Sequence, residues 1–448
     1  MSSYLALLLC TAFVVWLYRR DFLDDPPAAG ALWIPTLWLL IKSSRPLSLW
    51  LHGGTIVDGE ADYLEGSPVD RIFFLGLIAA AYIVLRRRRI DFTGIFANNM
   101  ALTLLFLYLG CSVLWSDYPF VAFKRWFKEA GSVLVVLVLL TDPSPTQAIS
   151  TVFRRCADIL LPLSVVLIKY FPDLGRGYSI SGFQMVTGVT MQKNALGMIC
   201  VTYGLISLWD LLERWQSRRG GETSDLLPPV ARIAFAACLL VQSDSNTSII
   251  SAVIGSVILL SGKVPLLAKR PRILLLASMA LVPLALTAVT MSSMLNPFIE
   301  AMGRDSSLTG RTRIWDLVLS QGSNPLFGTG FYTFWLGATG VAVWDELPGL
   351  NTAHSGYIEI YLDGGMIAVM LMVAMWISAG RYISKRTNEN DGLCKLQLAF
   401  FTAFLVSNFS ESYIFRLNVL WFTFLTMILR LPTVSDKTPT PLLPKEVS

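Results

Sequence analysis

Long apolar runs recur along almost the whole of this chain, and they constrain its fold more tightly than any motif does. A helix needs about 20 apolar residues to cross a bilayer core. Thirteen stretches approach that requirement: 3–18, 31–42, 71–85, 98–115, 127–141, 154–170, 194–212, 230–242, 247–262, 272–292, 355–380, 396–409 and 414–430. Transmembrane β-strands would be about 10 residues long with alternating polarity, and that pattern is absent. Composition agrees. Hydrophobic residues make up 54% of the chain and charged residues 15%, where a soluble protein carries about a quarter charged. The expected fold is all-α: a polytopic integral membrane protein of 12 or 13 helices, the lower count applying if the short Pro35-containing stretch at 31–42 is re-entrant.

Loop charge predicts orientation, because Lys and Arg accumulate on the cytoplasmic side. "RRRR" at 86–89, the arginines of 213–221, "GKVPLLAKRPR" at 262–272 and "RYISKR" at 381–386 fall in alternate loops. The loops between them then face outward, including an acidic one at 56–70 and the longest, at about 293–354. The first span is followed, not preceded, by Arg19 and Arg20, so it reads as a retained helix and not a cleaved signal. The organisation expected is an N-terminal bundle over 1–292, an extracytoplasmic catalytic loop over 293–354, C-terminal transmembrane helices over 355–430, and a Pro- and Thr-rich disordered cytoplasmic tail over 431–448. The six cysteines are scattered without CxxC spacing, so neither a disulfide framework nor a zinc site is implied.

Some cations break the charge rule by lying in loops assigned to the outside. They are Lys124, Arg125 and Lys128 in "WSDYPFVAFKRWFKEAG", Arg176 in "FPDLGRGYS", Lys193 in "GVTMQKNALG", and Arg304, Arg311 and Arg313 in "GRDSSLTGRTRIW". Snorkelling to lipid phosphates accounts for any one of them. As a set they suit an anionic ligand at the outer face, because Arg binds phosphate as a bidentate fork and Lys as a point charge. Only two histidines occur. His52 has no tight charged cluster around it and reads as structural. His354, in "NTAHSGYIEIYLDGG", stands where a polar loop enters an apolar helix, among small neighbours that leave room for a substrate. A helix from 355 onward would align His354, Ile358 and Tyr361, with Tyr357 beside them and an interruption at Gly364–Gly365.

The ordered set "GRTRIW", "NPLFGTGF" and "AHSGYIEIYLDGG" resembles the signature of the O-antigen ligase and O-antigen polymerase superfamily. "GVTMQKNALG" resembles that family's Lys-Asn loop. "SVLWSDYPFVAFKRWFK" and "SRPLSLWL" resemble its exopolysaccharide-polymerase branch. One departure is His354-Ser355, where the family commonly has His-Asn. The resemblance implies a metal-independent and cofactor-free glycosyltransferase of the bacterial inner membrane. It would polymerise undecaprenyl-pyrophosphate-linked repeat units onto a glycan acceptor at the outer face. Membrane lipids and other exopolysaccharide export and chain-length proteins would be its partners, with no nucleic acid. A ligase acting on lipid A core or another acceptor is the alternative within the family. A flippase is the alternative outside it, though no repeat or midplane break of the transporter kind is visible.

Preorganised cations stabilise a leaving pyrophosphate as its charge develops. Arg311 and Lys193 are assigned to that role first, then Arg313, Arg125 and Arg176, with Lys124 and Lys128 also in the binding set. His354 is expected to take the proton of the acceptor hydroxyl, since histidine titrates near neutrality. Glu359, Glu411 and Asp363 are rival bases. Trp315, Trp335, Tyr332 and Tyr357 offer aromatic faces for sugars.

Overall fold

The computed structural model describes residues 2–24, 30–51, 67–178, 182–221, 223–261, 280, 309–347, 349–386 and 392–432. His52, the acidic loop up to residue 66, the basic loop at 262–272, the span at 272–292 apart from residue 280, residues 293–308 and the tail from 433 lie outside the described residues.

The described chain is helical apart from one short hairpin. The longer helices are α1 (Ser3–Asp24), α2 (Trp33–Lys42), α3 (Pro68–Arg87), α4 (Phe92–Asn98), α5 (Met100–Cys111), α6 (Pro119–Leu140), α7 (Pro145–Tyr170), α8 (Lys193–Arg219), α9 (Leu227–Gln242), α10 (Asn246–Ser261), α11 (Thr309–Ser320), α12 (Gly337–Glu346), α13 (Gly356–Arg386), α14 (Gly392–Ser410) and α15 (Val419–Ile428). Between α7 and α8, β1 (Arg176–Tyr178) pairs antiparallel with β2 (Gln184–Val186), Gly177 opposite Met185. Local chemistry sets several boundaries. Proline opens α3, α6 and α7, where its missing N–H costs nothing and its fixed φ suits the first turn. Asp91 caps α4 through Gly94 N at 3.0 Å. Asn418 caps α15 through Trp421 N at 2.9 Å, satisfying a donor the helix start leaves open.

Among the described residues, five helices are long and apolar enough to cross a bilayer: Ser3–Arg20, Pro68–Arg87, Lys193–Arg219, Gly356–Arg386 and Leu393–Ser410. A bent pair, Phe92–Asn98 with Met100–Trp115, makes a sixth when taken as one broken span. Shorter apolar helices accompany them at Gly30–Lys42, Leu227–Gln242, Asn246–Ser261 and Val419–Ile428. Large apolar side chains such as Leu8, Ile72, Leu107 and Met370 remain exposed, as a lipid-facing surface requires and a water-facing one would not. The protein is thus an all-α polytopic membrane protein. Its core runs through α8, which packs against α9 and α10, while α10 packs on α14 and α13 on α5. α15 is buried along its length between α14 and α6. The loop joining α14 to α15 is therefore enclosed, and the candidate site is built around it.

Candidate functional site

The site begins at a break in a helix. At Gly365, inside α13, φ is 62°, a left-handed value that only glycine adopts cheaply. The break releases the carbonyls of Leu362 and Asp363 from the helix ladder. The "NPLFGTGF" loop docks there and takes them up: Thr329 N donates to Leu362 O at 2.9 Å and Gly330 N to Asp363 O at 3.0 Å. Met366 N in turn donates to Pro325 O at 2.8 Å. A Cβ on Gly365 would lie 2.2 Å from the carbonyl carbon of Leu326, so the loop can approach only because that residue is glycine.

The first turns of α13 carry Glu359, 1% exposed. Its Oε1 accepts from Ala353 N at 2.7 Å. Its Oε2 accepts from Trp335 Nε1 at 3.2 Å and from Arg416 Nη2 at 2.6 Å. Ala353 O accepts from Trp315 Nε1 at 2.9 Å. These bonds anchor the segment immediately before His354, whose own φ of 49° keeps it outside α13. The helical alignment of His354 with Ile358 and Tyr361 expected from the sequence therefore does not form, because α13 starts at Gly356.

The 411–418 loop faces this segment. Asn408 Oδ1 accepts from Tyr413 N at 3.0 Å and Ile414 N at 3.1 Å. Glu129, buried on α6, accepts from Leu417 N at 2.6 Å and Trp421 Nε1 at 3.1 Å. Arg416 bridges Glu359 and Asp363, the latter at 2.9 Å. Burial raises the Tyr413 hydroxyl well above its ordinary pKa, with the nearby Glu411 charge adding to the rise, so it stays neutral. Four non-glycine residues with left-handed backbone gather here: Tyr332, His354, Phe415 and Leu417. Such conformations are costly and persist where the surroundings over-determine them, most often at functional sites.

At the start of the loop, Glu411 collects three partners from three parts of the chain. Its Oε1 accepts from Asn194 Nδ2 at 2.6 Å and from Arg311 Nη2 at 3.1 Å. Its Oε2 stands 3.7 Å from His354 Nδ1, beyond hydrogen-bond length but close enough for direct electrostatic contact. Glu411 is 9% exposed, Arg311 25% and His354 32%. A nearly buried carboxylate thus faces a histidine and an arginine that both remain open to a ligand. A second cationic assembly adjoins it. The ring of Tyr332 lies between two guanidinium groups, that of Arg416 at 3.8 Å and that of Arg125 at 4.5 Å from its centroid.

Known proteins match part of this chain. Residues 231–373 match the family model described as Wzy_C, O-Antigen ligase. The exopolysaccharide production protein ExoQ of Rhizobium meliloti (strain 1021) is 25% identical over 313 residues, covering 65% of this chain and 67% of that protein. Over residues 231–373 the chain is similar to the O-antigen ligase and polymerase superfamily. The superfamily domain contains Arg311 and His354 but ends before Glu411, and it begins after Asn194. Folding brings in those two residues from outside it.

The other sequence-selected residues divide by location. Arg125, Lys124 and Lys128 line a cavity of about 620 Å³ beside the 411–418 loop. Lys193 pairs with exposed Asp244 at 3.2 Å, and only its neighbour Asn194 reaches Glu411. Arg176 donates to Ile168 O at 3.0 Å within the hairpin region. Arg313 is exposed on α11. Trp315 is buried edge-on against Phe409, and Tyr357 donates to Leu405 O, so both tie helices together. Arg416 carries no sequence signal of its own, and Glu411 stands out in the sequence only as a rival base. A carboxylate followed five residues later by an arginine, in a short break between apolar helices, was the signal available.

Proposed function

We propose that this protein is a glycosyltransferase that polymerises undecaprenyl-pyrophosphate-linked oligosaccharide repeats into exopolysaccharide at the outer face of the bacterial inner membrane. The observation that carries this reading is the convergence of His354, Glu411, Arg311 and Asn194, in a superfamily of O-antigen ligases and polymerases. The polymerase reading is preferred over the ligase reading on the likeness to an exopolysaccharide production protein.

In this reading the acceptor hydroxyl attacks the anomeric carbon of the donor sugar. A new glycosidic C–O bond forms as the C–O bond to the lipid pyrophosphate breaks, and the pyrophosphate leaves with the electron pair. A proton on His354 Nδ1, facing Glu411 Oε2, leaves Nε2 able to accept the hydroxyl proton. Glu411 then stabilises the imidazolium, the role an orienting carboxylate plays beside a histidine base. Arg311, shared with Glu411 and part-exposed, meets the developing negative charge, which preorganised donors stabilise by several kcal/mol.

Purified protein in proteoliposomes, given lipid-linked repeat units, is expected to extend them into a ladder of longer glycans. Transfer only to a different added acceptor would replace polymerase with ligase. Movement of the lipid across the bilayer without new glycosidic bonds would replace both with flippase.

A further inference from the structure

Glu359, in the first turn of α13, is surrounded by donors. Three of them meet its two oxygens: Ala353 N on Oε1, and Trp335 Nε1 and Arg416 Nη2 on Oε2. No acceptor stands among these partners to receive an O–H, so the group serves as a carboxylate. Arg416 supplies the counter-charge that a buried carboxylate requires. At 1% exposure neither oxygen is open to an acceptor hydroxyl or to a sugar. Glu359 therefore fits neither the base nor the sugar ligand that its sequence position suggests. What it holds is a peptide. Ala353 is buried and both of its polar groups are taken, N by Glu359 at 2.7 Å and O by Trp315 Nε1 at 2.9 Å. The next residue is His354, at φ 49°, a conformation that a non-glycine residue keeps only where its neighbours enforce it. On either side of the histidine the segment is tied to the loop that carries Glu411. Thr352 Oγ1 donates to Ser412 Oγ at 2.9 Å, and Gly356 N to Glu411 O at 2.9 Å. The contacts close a ring: His354, Ala353, Glu359, Arg416, the loop back to Glu411, and the imidazole again.

We propose that Glu359 is a positioning residue for His354, acting through the Ala353 peptide and through Arg416 to keep the imidazole against Glu411. The inference deepens the reading under Proposed function and rests on it for the reaction in which His354 takes part. His354 Nδ1 stands 3.7 Å from Glu411 Oε2, so a shift of under about 1 Å decides between a hydrogen bond and none. Control of that gap needs a fixed anchor, and Arg416 is one. Its Nη1 is held by Asp363 at 2.9 Å, and its guanidinium lies 3.8 Å from the centroid of the Tyr332 ring. With Oε2 fixed on Arg416, Oε1 of Glu359 is aimed at Ala353 N. Arg416 also lies in the loop that Glu411 opens, so one carboxylate braces the histidine segment and the far end of the loop facing it. Loss of that brace releases both sides of the His354–Glu411 gap together.

The test reads His354 directly. The chain has two histidines, so full-length protein with isotope-labelled histidine rings, held in nanodiscs, gives two ring signals by NMR. That of His354 is assigned by its loss in His354→Gln. Glu411→Gln should displace the His354 signal. Glu359→Gln should displace it in the same direction and leave the other histidine signal in place. Glu359→Asp keeps a charge opposite Arg416, which protects the fold, but is one methylene too short to span from Arg416 to Ala353 N, and it should displace the signal likewise. With lipid-linked repeat units, both Glu359 variants should lower kcat by about 10²-fold, the scale of a misplacement of about 1 Å, with KM unchanged. A His354 signal unmoved in both variants would overturn the proposal. So would a raised KM at wild-type kcat, which would make Glu359 a substrate ligand, or an equal displacement of both histidine signals, which would mark a general loss of packing. The ring signals are read without turnover. A wild type that never forms a glycosidic bond would therefore refute the polymerase reading and leave the positioning of His354 standing.

Discussion

The two ends of α8 carry arginine–carboxylate clusters of opposite kinds. Near its C-terminal end, Asp210 accepts from Arg214 at 3.1 Å, Arg154 at 3.0 Å and Arg232 at 3.3 Å. Arg232 also grips Asp158 with two bonds, at 2.6 and 3.1 Å. Side chains of Arg232, Asp158 and Asp210 are 1%, 2% and 4% exposed, and all five residues stand on regular helices. At the N-terminal end, about 24 Å away along a straight helix, Asn194 reaches Glu411 in a loop with left-handed backbone, and His354 and Arg311 stay partly open. The same residue types thus serve two purposes. Charges whose partners are all internal hold helices together. Charges left with one open side on a strained and clamped loop are available to a substrate.

The comparison breaks most sharply on removal of the fully enclosed charge. Arg232→Ala removes the arginine that grips buried Asp158 with two bonds and one of the three that bind Asp210, and breaking a buried pair costs about 3–5 kcal/mol. The folded protein should largely disappear from membranes, seen as lost accumulation and aggregation on extraction. If Arg232→Ala accumulates normally, the division between structural and functional clusters fails.

At the other end, loss of function without loss of protein is expected. His354→Ala and Glu411→Gln should each lower glycosyl transfer by about 10²–10⁴-fold, the range of general base catalysis, while accumulation stays near wild type. His354→Gln separates two roles: a rate close to wild type would mean the histidine only donates or accepts a hydrogen bond. Arg311→Ala should fall in the same range and Arg311→Lys should recover part of it, since a point charge replaces a fork. Full activity in the lysine variant would show that charge alone matters there.

Smaller effects sharpen the geometry. Gly365→Ala forces a side chain into a left-handed position against the Leu326 carbonyl, a strain of about 1–3 kcal/mol. A lowered melting temperature with partial activity is expected, and an unchanged one would detach the 325–330 loop from the account. The mildest change is Lys193→Ala. Its partner Asp244 is exposed, and surface pairs are worth about 0–1 kcal/mol, so stability should hold. Transfer should fall less than in Arg311→Ala. An equal fall would place Lys193 beside Arg311 in the reacting complex.

Much of this was legible in one dimension. The break at Gly364–Gly365 was visible because glycine interrupts an apolar helix, and the "NPLFGTGF" turn because Gly and Pro punctuate. His354 stood out because it is scarce and sits at a polar–apolar border. Glu411 and Arg416 did not stand out, because the eight residues between α14 and α15 look like an ordinary tight connection. Arg176, Lys193 and Arg125 looked equivalent as outward cations, yet they occupy a hairpin, a surface pair and a cavity wall.

The sequence by itself determined what depends on local composition. Apolar length required membrane helices, proline and glycine set where they start and break, and the ordered motifs carried the resemblance to the superfamily. Only the tertiary structure decided which charges meet. Asn194, Arg311, His354 and Glu411 are spread over more than two hundred residues, and the pairing of an ion depends on distance in space. The enclosure of the 411–418 loop by α6, α13 and α14 brings them together, and that enclosure comes from packing of helices whose sequences show only that they are apolar.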